Sequence, residues 1–196
     1  MDQQSVQNKQ KHILEKLEAR MKELELETAW TSLKDGGSEP VLLTEHPYIG
    51  ETDDEVIGQY FFLPEYAPDT TGAMDFVLDM IVADEIPEDQ IPVVKLALTD
   101  VNFVLPKGAY QITPDGDTVS FRHVLTFRQE DSEEEILEMI TYQIGMALSY
   151  NAVYMDLISD LAAGEITYTD FVTAIETKIA AGAVLEKNKN TATDMR

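Results

Sequence analysis

The chain has 196 residues, 37 acidic and 14 basic side chains, and a formal net charge of −23. Its hydrophobic fraction of 44% is that of an ordinary globular domain, which excludes an acidic disordered chain. It contains no cysteine, which excludes disulfides, thiolate metal sites and a cysteine nucleophile.

The acidic residues are concentrated in two segments. Residues 35–94 contain fifteen acids and residues 129–177 contain eleven, and neither segment has a lysine or an arginine. Such segments lack the cations that neutralise phosphates, so we expect neither nucleic acid nor an anionic membrane surface as a partner. The acidity favours solubility, and a docking surface for a basic partner is the alternative interpretation.

The N-terminus is polar and has no apolar segment of the kind found in secretory signal peptides. No apolar run approaches the roughly 18 residues of a membrane helix. We therefore expect a cytoplasmic protein of a bacterium-like cell, with export by another route as the alternative.

Residues 8–34 have the periodicity of an amphipathic helix, with Glu and Lys on the polar face. The helix is expected to end at the glycine pair 36–37, because glycine readily forms a left-handed cap. We expect it to pack on its own domain, with a dimer contact as the alternative. A heptad pattern also runs through the segment for about two heptads, at Leu14, Leu17, Met21 and Leu24.

Two β-strands are predicted after an irregular segment at residues 39–54. Residues 56–63 are rich in β-forming residues and stop at Pro64. Residues 73–83 alternate, which predicts one mixed face and one core face. Because the two strands are close in sequence, we expect them to pair in antiparallel fashion. The core face of the second strand would contain Met74, Phe76, Leu78, Met80 and Val82.

A second helix and two more strands follow. Acidic residues around Pro87 indicate a helix start, and residues 106–108 close the helix. Residues 109–113 and 118–128 predict strands joined by a Pro-Asp-Gly turn. On the second of these strands, His123 falls on the apolar face.

Two helices and a tail complete the chain. A helix of about thirty residues is expected to begin at Asp131 or Ser132, where acidic residues favour its N-terminus. It ends at residues 163–164, and a shorter helix covers residues 165–185. Residues 186–196 are polar and predict a mobile tail.

The predicted order is α-β-β-α-β-β-α-α, an α+β domain over residues 1–185 with an antiparallel sheet of about four strands flanked by helices. Over residues 55–160 this order, the helix start Ile86-Pro87-Glu88-Asp89 and the segment 102–110 (NFVLPKGAY) resemble the YbjN-like proteins. That family shares the fold of the type III secretion chaperones. The helix at 8–34 matches the position of their first helix, whereas the helix at 165–185 departs from the family pattern.

The resemblance implies a sheet flanked by helices, frequent dimers and no enzymatic centre. For the secretion chaperones it also implies the binding of extended segments of other proteins. The extra C-terminal helix leaves the mode of dimerisation open.

The residues themselves offer no catalytic constellation. His12, His46 and His123 lie in separate elements without the spacing of a zinc site. His123 is expected to be a hydrogen-bonded, half-buried residue whose charge responds to pH. Acidic clusters at residues 51–55 and 84–89 offer oxygen ligands for Ca²⁺, although solvated loop and helix-start charge is the simpler interpretation. The chain has no phosphate-binding loop and no nucleophile elbow.

We therefore expect a non-catalytic, chaperone- or adaptor-like domain that binds a protein segment on a sheet edge or in an apolar helix groove, without cofactor or metal. The partner is another protein or a second copy in a homodimer, and the candidate contact residues are Leu17, Met21 and Leu24. If the first helix packs inward instead, aspartate at these positions should unfold the protein. A small-molecule or calcium module using the acidic loops, and an enzyme with an unrecognised carboxylate centre, are the alternatives.

Overall fold

A computed structural model describes residues 3–33, 39–51, 54–64, 72–114 and 116–193, except for the side chains of Gln3, Asp54 and residues 181–193. The described chain contains four helices and six strands. In chain order they are α1 (Gln3–Glu23), β1 (Thr28–Ser32), β2 (Pro40–Ile49), β3 (Asp54–Phe62), β4 (Ala73–Ala83), α2 (Ile91–Val104), β5 (Ala109–Ile112), β6 (Val119–Arg128), α3 (Glu133–Ala162) and α4 (Tyr168–Thr193).

The strands form one antiparallel sheet in the order β1-β2-β3-β4-β6-β5. Buried residues of all four helices and of one sheet face form a single core cluster, so the helices share that face. The expected α+β architecture with an antiparallel sheet flanked by helices is confirmed. The expected number of four strands was wrong, because two further strands lie before β3 and change the order to α-β-β-β-β-α-β-β-α-α.

The first helix is shorter than predicted. After α1, Glu25 adopts a left-handed conformation with φ of 61°. The Leu26 N–H donates to the Met21 carbonyl and the Glu25 N–H to the Lys22 carbonyl, which closes the helix in a Schellman arrangement. Glycine normally marks such a position, so the periodicity alone predicts a continuous helix through the residues that form β1.

The segment predicted to be irregular at residues 39–54 contains β2. Pro40 is its first residue, and Pro47 lies where the register against β3 shifts between His46 and Ile49. Strand ends and bulges are the places where a sheet tolerates proline. The two prolines therefore disguise a strand whose remaining backbone pairs regularly with β1 and β3.

The strongest sequence patterns give elements as predicted. β4 and β3 pair in antiparallel fashion, and α3 has 30 residues. Ser132 and Glu135 form a capping box at the start of α3, in which each side chain accepts from the other residue's backbone N–H. The predicted core face of β4 is buried at every position, namely Met74, Phe76, Leu78, Met80 and Val82.

The second and last helices differ from prediction at their ends. α2 begins at Ile91, after the acidic turn, and has Pro92 in its first turn. α4 continues to Thr193, through most of the segment predicted as a tail, and residues 194–196 lie outside the described chain. Phe171 and Ile175 of α4 join the main core, so this extra helix packs as part of the domain.

α1 packs inward. Leu17 is fully buried and Met21 exposes 3% of its surface, and both belong to the main core. On its outer side α1 is tied to the start of α3, because Lys16 pairs with Glu133 at 2.8 Å and Arg20 with Glu134 at 2.5 Å. The helix is therefore a structural part of this domain.

The burial of α1 gives a direct test. Leu17→Ala should lower the free energy of unfolding by about 2–5 kcal/mol, because it removes buried methyl groups and leaves a cavity. Leu24→Ala, in the turn that follows α1, is the matched control, and it should change the free energy of unfolding by less than about 0.5 kcal/mol since Leu24 is 66% exposed. Urea unfolding measures both, and equal effects would contradict this packing.

Candidate functional site

The two edges of the sheet differ in whether their outward backbone N–H and C=O groups are hydrogen-bonded. At the β5 edge, the Asn102 side chain of α2 accepts from the Tyr110 N–H at 2.7 Å and donates to the Tyr110 carbonyl at 2.8 Å. The asparagine thus pairs with β5 as a neighbouring strand would. This edge is closed at its centre, which is one way in which proteins prevent further strand addition.

β1 forms the opposite edge, and none of the residues that the structure describes pairs with its outer side. The Glu45 N–H donates to the Glu27 carbonyl, and the Leu33 N–H donates to the Glu39 carbonyl. In an antiparallel pair the bonded positions alternate, so the backbone groups of the intervening even-numbered residues point away from the sheet. We call this set the β1 edge; it comprises the outward N–H and C=O groups of Thr28, Trp30 and Ser32.

The side chains of β1 suit an extended partner. The strand reads Thr-Ala-Trp-Thr-Ser, has no charged residue and is exposed at every position after Thr28. Threonine and tryptophan favour strands, and none of the usual edge protections by lysine, proline or a bulge is present within it. Sequence reasoning missed this edge because residues 28–32 continue a helical pattern, although a neutral, β-forming run in so acidic a chain was the available signal.

Trp30 is the aromatic side chain of β1. It lies on the helix side of the sheet opposite Leu42 and is 41% exposed. Glu18 of α1 accepts hydrogen bonds from Lys22 Nζ at 2.7 Å and from Thr28 Oγ1 at 3.4 Å, and the Trp30 side chain lies close enough to Glu18 to influence its charge. The Lys22 bond, with smaller contributions from Trp30 and Thr28, keeps the pKa of Glu18 below its usual value, so this carboxylate stays ionised beside the indole.

The sequence-based contact residues are only partly available. Leu17 and Met21 lie in the core, so they are not a surface of the folded chain, and only Leu24 is exposed. Leu24 lies in the turn between α1 and β1. Of the three expected contact residues, Leu24 is therefore the one whose side chain a partner could reach in the folded chain.

The sheet face opposite the helices carries a second, small apolar cluster. Val41, Phe61 and Val77 form it, and each exposes 5% of its surface or less. Beside it, Asp79 pairs with Arg122 at 3.4 Å, and burial raises the pKa of Asp79. Since the centre of this face is already closed to solvent, it offers a partner less apolar surface than its composition suggests.

A groove of about 290 Å³ lies between the N-terminal half of α1 and the adjoining ends of β2 and β3. Ligand sites usually start near this volume. Four amide side chains and Lys11 line it above an apolar floor, and Glu39 is the only acid among the lining residues. The groove therefore lacks the pair of convergent carboxylates that an acid–base centre would need.

The three histidines lie apart. His12 pairs with Glu133 at 2.9 Å on the surface, and His123 is half-buried on the helix side of β6. His46 is buried, and its Nε2 lies 2.7 Å from the buried Tyr60 hydroxyl. The Tyr60 ring lies directly over Gly58, where a Cβ atom would come within 2.3 Å of the hydroxyl oxygen, so glycine at that strand position makes the pair possible.

In the acidic cluster at residues 51–55, Glu51 interacts with other parts of the protein. Glu51 pairs with Lys178 at 2.9 Å, and its backbone N–H donates to Asp156 at 2.6 Å. Asp53, from the same cluster, lies outside the described residues. In the part of the chain that the structure describes, no group of three or more histidine or acidic side chains is arranged to hold a metal ion.

No family profile matches the chain, and no curated protein matches it. Among the described helices, none is both long enough and apolar enough to cross a bilayer.

The closed β5 edge can be tested by Asn102→Ala. The substitution removes both hydrogen bonds to Tyr110 and should lower the free energy of unfolding by about 1–3 kcal/mol. Thr99→Ala is the control, because Thr99 is exposed on the same helix and bonds only to its own helix backbone. Denaturant titration of both variants measures the free energy of unfolding. A decrease for Asn102→Ala no larger than that for Thr99→Ala would contradict the closure of the β5 edge by Asn102.

Buried His46 predicts a pH dependence of stability. Desolvation lowers the pKa of His46 from 6.5 to about 4, so the folded state favours the neutral ring. The free energy of unfolding that the neutral ring contributes is complete above pH 6.5. It is lost as the pH falls toward 4, because the unfolded chain then binds a proton at this histidine and the folded chain does not. Between pH 7 and pH 5 the free energy of unfolding should fall by about 2 kcal/mol.

His46→Gln should remove most of this decrease. The pKa of His123 is also lowered by desolvation and by Lys107, so a smaller decrease of the same sign should remain. His12→Gln, at an exposed histidine, should leave the decrease in place. Urea unfolding at pH 7, 6 and 5 measures all three, and a wild-type stability that is flat over this range would contradict the neutral buried ring.

Proposed function

We propose that this protein is a non-catalytic, chaperone- or adaptor-like domain that binds an extended segment of another protein by strand addition at the β1 edge. The observation that carries the proposal is an unpaired, uncharged and exposed edge strand in a chain with a net charge of −23. Strand addition uses main-chain hydrogen bonds for affinity and alternate side chains for specificity. A cytoplasmic location without nucleic-acid partners is part of the proposal.

Two further features support the β1 edge over other surfaces. Trp30 is a large aromatic side chain that is 41% exposed on β1, and aromatic side chains of this kind often dominate the binding energy of an interface. The other end of the sheet is closed by Asn102, so an incoming strand has a single preferred edge. The sequence resemblance to the YbjN-like proteins, which share the fold of secretion chaperones that bind extended segments, also supports this mode of binding.

Charge favours another protein over a second copy as the occupant. Pairing two β1 strands would bring together two chains that each carry a charge of −23, and such self-repulsion opposes association. It would also bring together two sets of the carboxylates around β1, including Glu25 and Glu27. A partner segment with positive charge meets neither obstacle.

The test is a selection of random ten-residue peptides on a displayed library against the full-length chain. Selected peptides should slow hydrogen exchange of the outward amides of Thr28, Trp30 and Ser32, measured by NMR. Ser32→Pro removes one outward N–H and should weaken binding about tenfold or more, whereas Ser32→Ala keeps it and should leave the affinity unchanged. Thermal unfolding verifies that both variants fold.

The amide-exchange measurement uses the wild-type chain, so it remains valid even if a Ser32 variant fails to fold. Selected peptides that leave these three amides unprotected would place binding elsewhere and overturn the proposal. Light scattering supplies the second arm: a wild-type dimer that Ser32→Pro converts to a monomer would make a second copy the occupant, against the proposal.

A further inference from the structure

The register of β1 determines what an added strand would meet, and the inference that follows rests on the proposed strand addition. The added strand continues the pleat, so its side chains alternate between the helix side and the helix-free face. Its residue opposite Trp30 faces the helix side. Its residues opposite Ala29 and Thr31 face the other side, the face on which Leu43 and Val41 of β2 lie beyond these two residues.

The position opposite Trp30 suits a planar cation. The indole is 41% exposed and lies beside the ionised Glu18. Lys22 already neutralises Glu18 at 2.7 Å, so the available attraction is the face of the indole ring more than the carboxylate. An arginine guanidinium stacks on such a ring and is weakly hydrated, which makes it a better partner there than lysine.

Both ends of β1 are acidic on the helix-free face. Glu27 and Glu45 form the bonded pair just before Thr28, and Glu39 bonds to Leu33 just after Ser32. Glu27 and Glu45 are exposed and Glu39 is half-exposed, so each can reach a cation on a neighbouring strand. Between the two ends, the small side chain of Ala29 leaves room on this face for a large apolar residue.

We propose that the segment bound at β1 is basic and runs antiparallel to it, with the pattern Lys-X-apolar-Arg-apolar-X-Lys. Its terminal lysines lie opposite Leu33 and Glu27, within reach of Glu39 and of the Glu27–Glu45 pair. Its arginine stacks on Trp30, and its apolar residues lie opposite Thr31 and Ala29. Among the described residues, the carboxylates of Glu18, Glu25, Glu27, Glu39 and Glu45 lie in the segments that precede or contact β1, and Lys22 pairs with Glu18.

The probe is the peptide Lys-Thr-Val-Arg-Val-Thr-Lys, blocked at both ends, measured by calorimetry against the full-length chain. The matched control, Lys-Val-Thr-Arg-Thr-Val-Lys, has the same composition but places its valines on the helix side. It should bind about tenfold more weakly. A peptide with glutamate in place of all three cations should not bind, and raising the salt concentration should weaken the probe, because exposed charges are screened.

Variants of the chain assign each contact. Glu27→Gln and Glu39→Gln should each weaken the probe by about two- to fivefold, as expected of exposed ion pairs. Trp30→Ala should weaken it by about fivefold or more through loss of stacking. Leu24→Ala removes an exposed apolar side chain just outside β1 and should leave the affinity unchanged.

The outcomes separate this inference from the strand addition on which it rests. Neutral or acidic library peptides that protect the Trp30 amide would preserve strand addition and overturn the basic pattern. Equal affinity of the probe and its rearranged control would also overturn the pattern. A library that yields no peptide protecting that amide would overturn both proposals together.

Discussion

The end of α1 at Glu23 determines which part of this protein is free to meet a partner. Because the left-handed turn at Glu25 stops the helix there, the apolar stripe of α1 faces the sheet and the next residues join that sheet as β1. A helix continuing to residue 34 would instead have projected beyond the domain. The same turn places Glu18 beside Trp30, so the closure of one element preorganises the surface of the next.

The sheet has two edges, and only one is protected. An antiparallel sheet covered by helices on one face still exposes unpaired backbone groups at its outer strands. α2 supplies Asn102 to β5, whereas β1 has no such cover among the described residues. Leaving one edge open invites aggregation unless the edge is short or the chain is strongly charged, and here the strand has five residues in a chain with a net charge of −23.

The sequence predicts best where side-chain periodicity alone decides the structure. The alternation of β4 and the acidic N-terminus of α3 place their core faces and caps correctly, because both patterns are long and uninterrupted. β2 was not predicted because it contains two prolines. A sheet tolerates them here only because one is the first residue of the strand and the other lies at a bulge, and the local sequence shows neither position. β1 is hidden because a glutamate takes the left-handed position that glycine usually marks.

The same reasoning explains why the candidate site was found only in part. Leu17 and Met21 have the spacing of an interface and of a core helix alike, and burial against the sheet, which spacing does not encode, distinguishes the two. The sequence predicted binding at a sheet edge, but it did not identify the edge, because that requires knowing which strand lies outermost. Strand order is set by long-range pairing, so it follows from the assembled sheet.

The net charge and the neutral edge act together. In the proposed mode of binding, the negative charge of the chain opposes self-association and acidic partners and accelerates the approach of basic ones. Main-chain hydrogen bonds to β1 would not depend on charge, so affinity and selection would come from different physical sources. If β1 carried carboxylates itself, charge would supply both affinity and selection, and any unfolded basic segment would then bind. In that mode of binding, the neutral β1 and the carboxylates of Glu27 and Glu39 at its ends would restrict tight binding to segments whose cations fall in register.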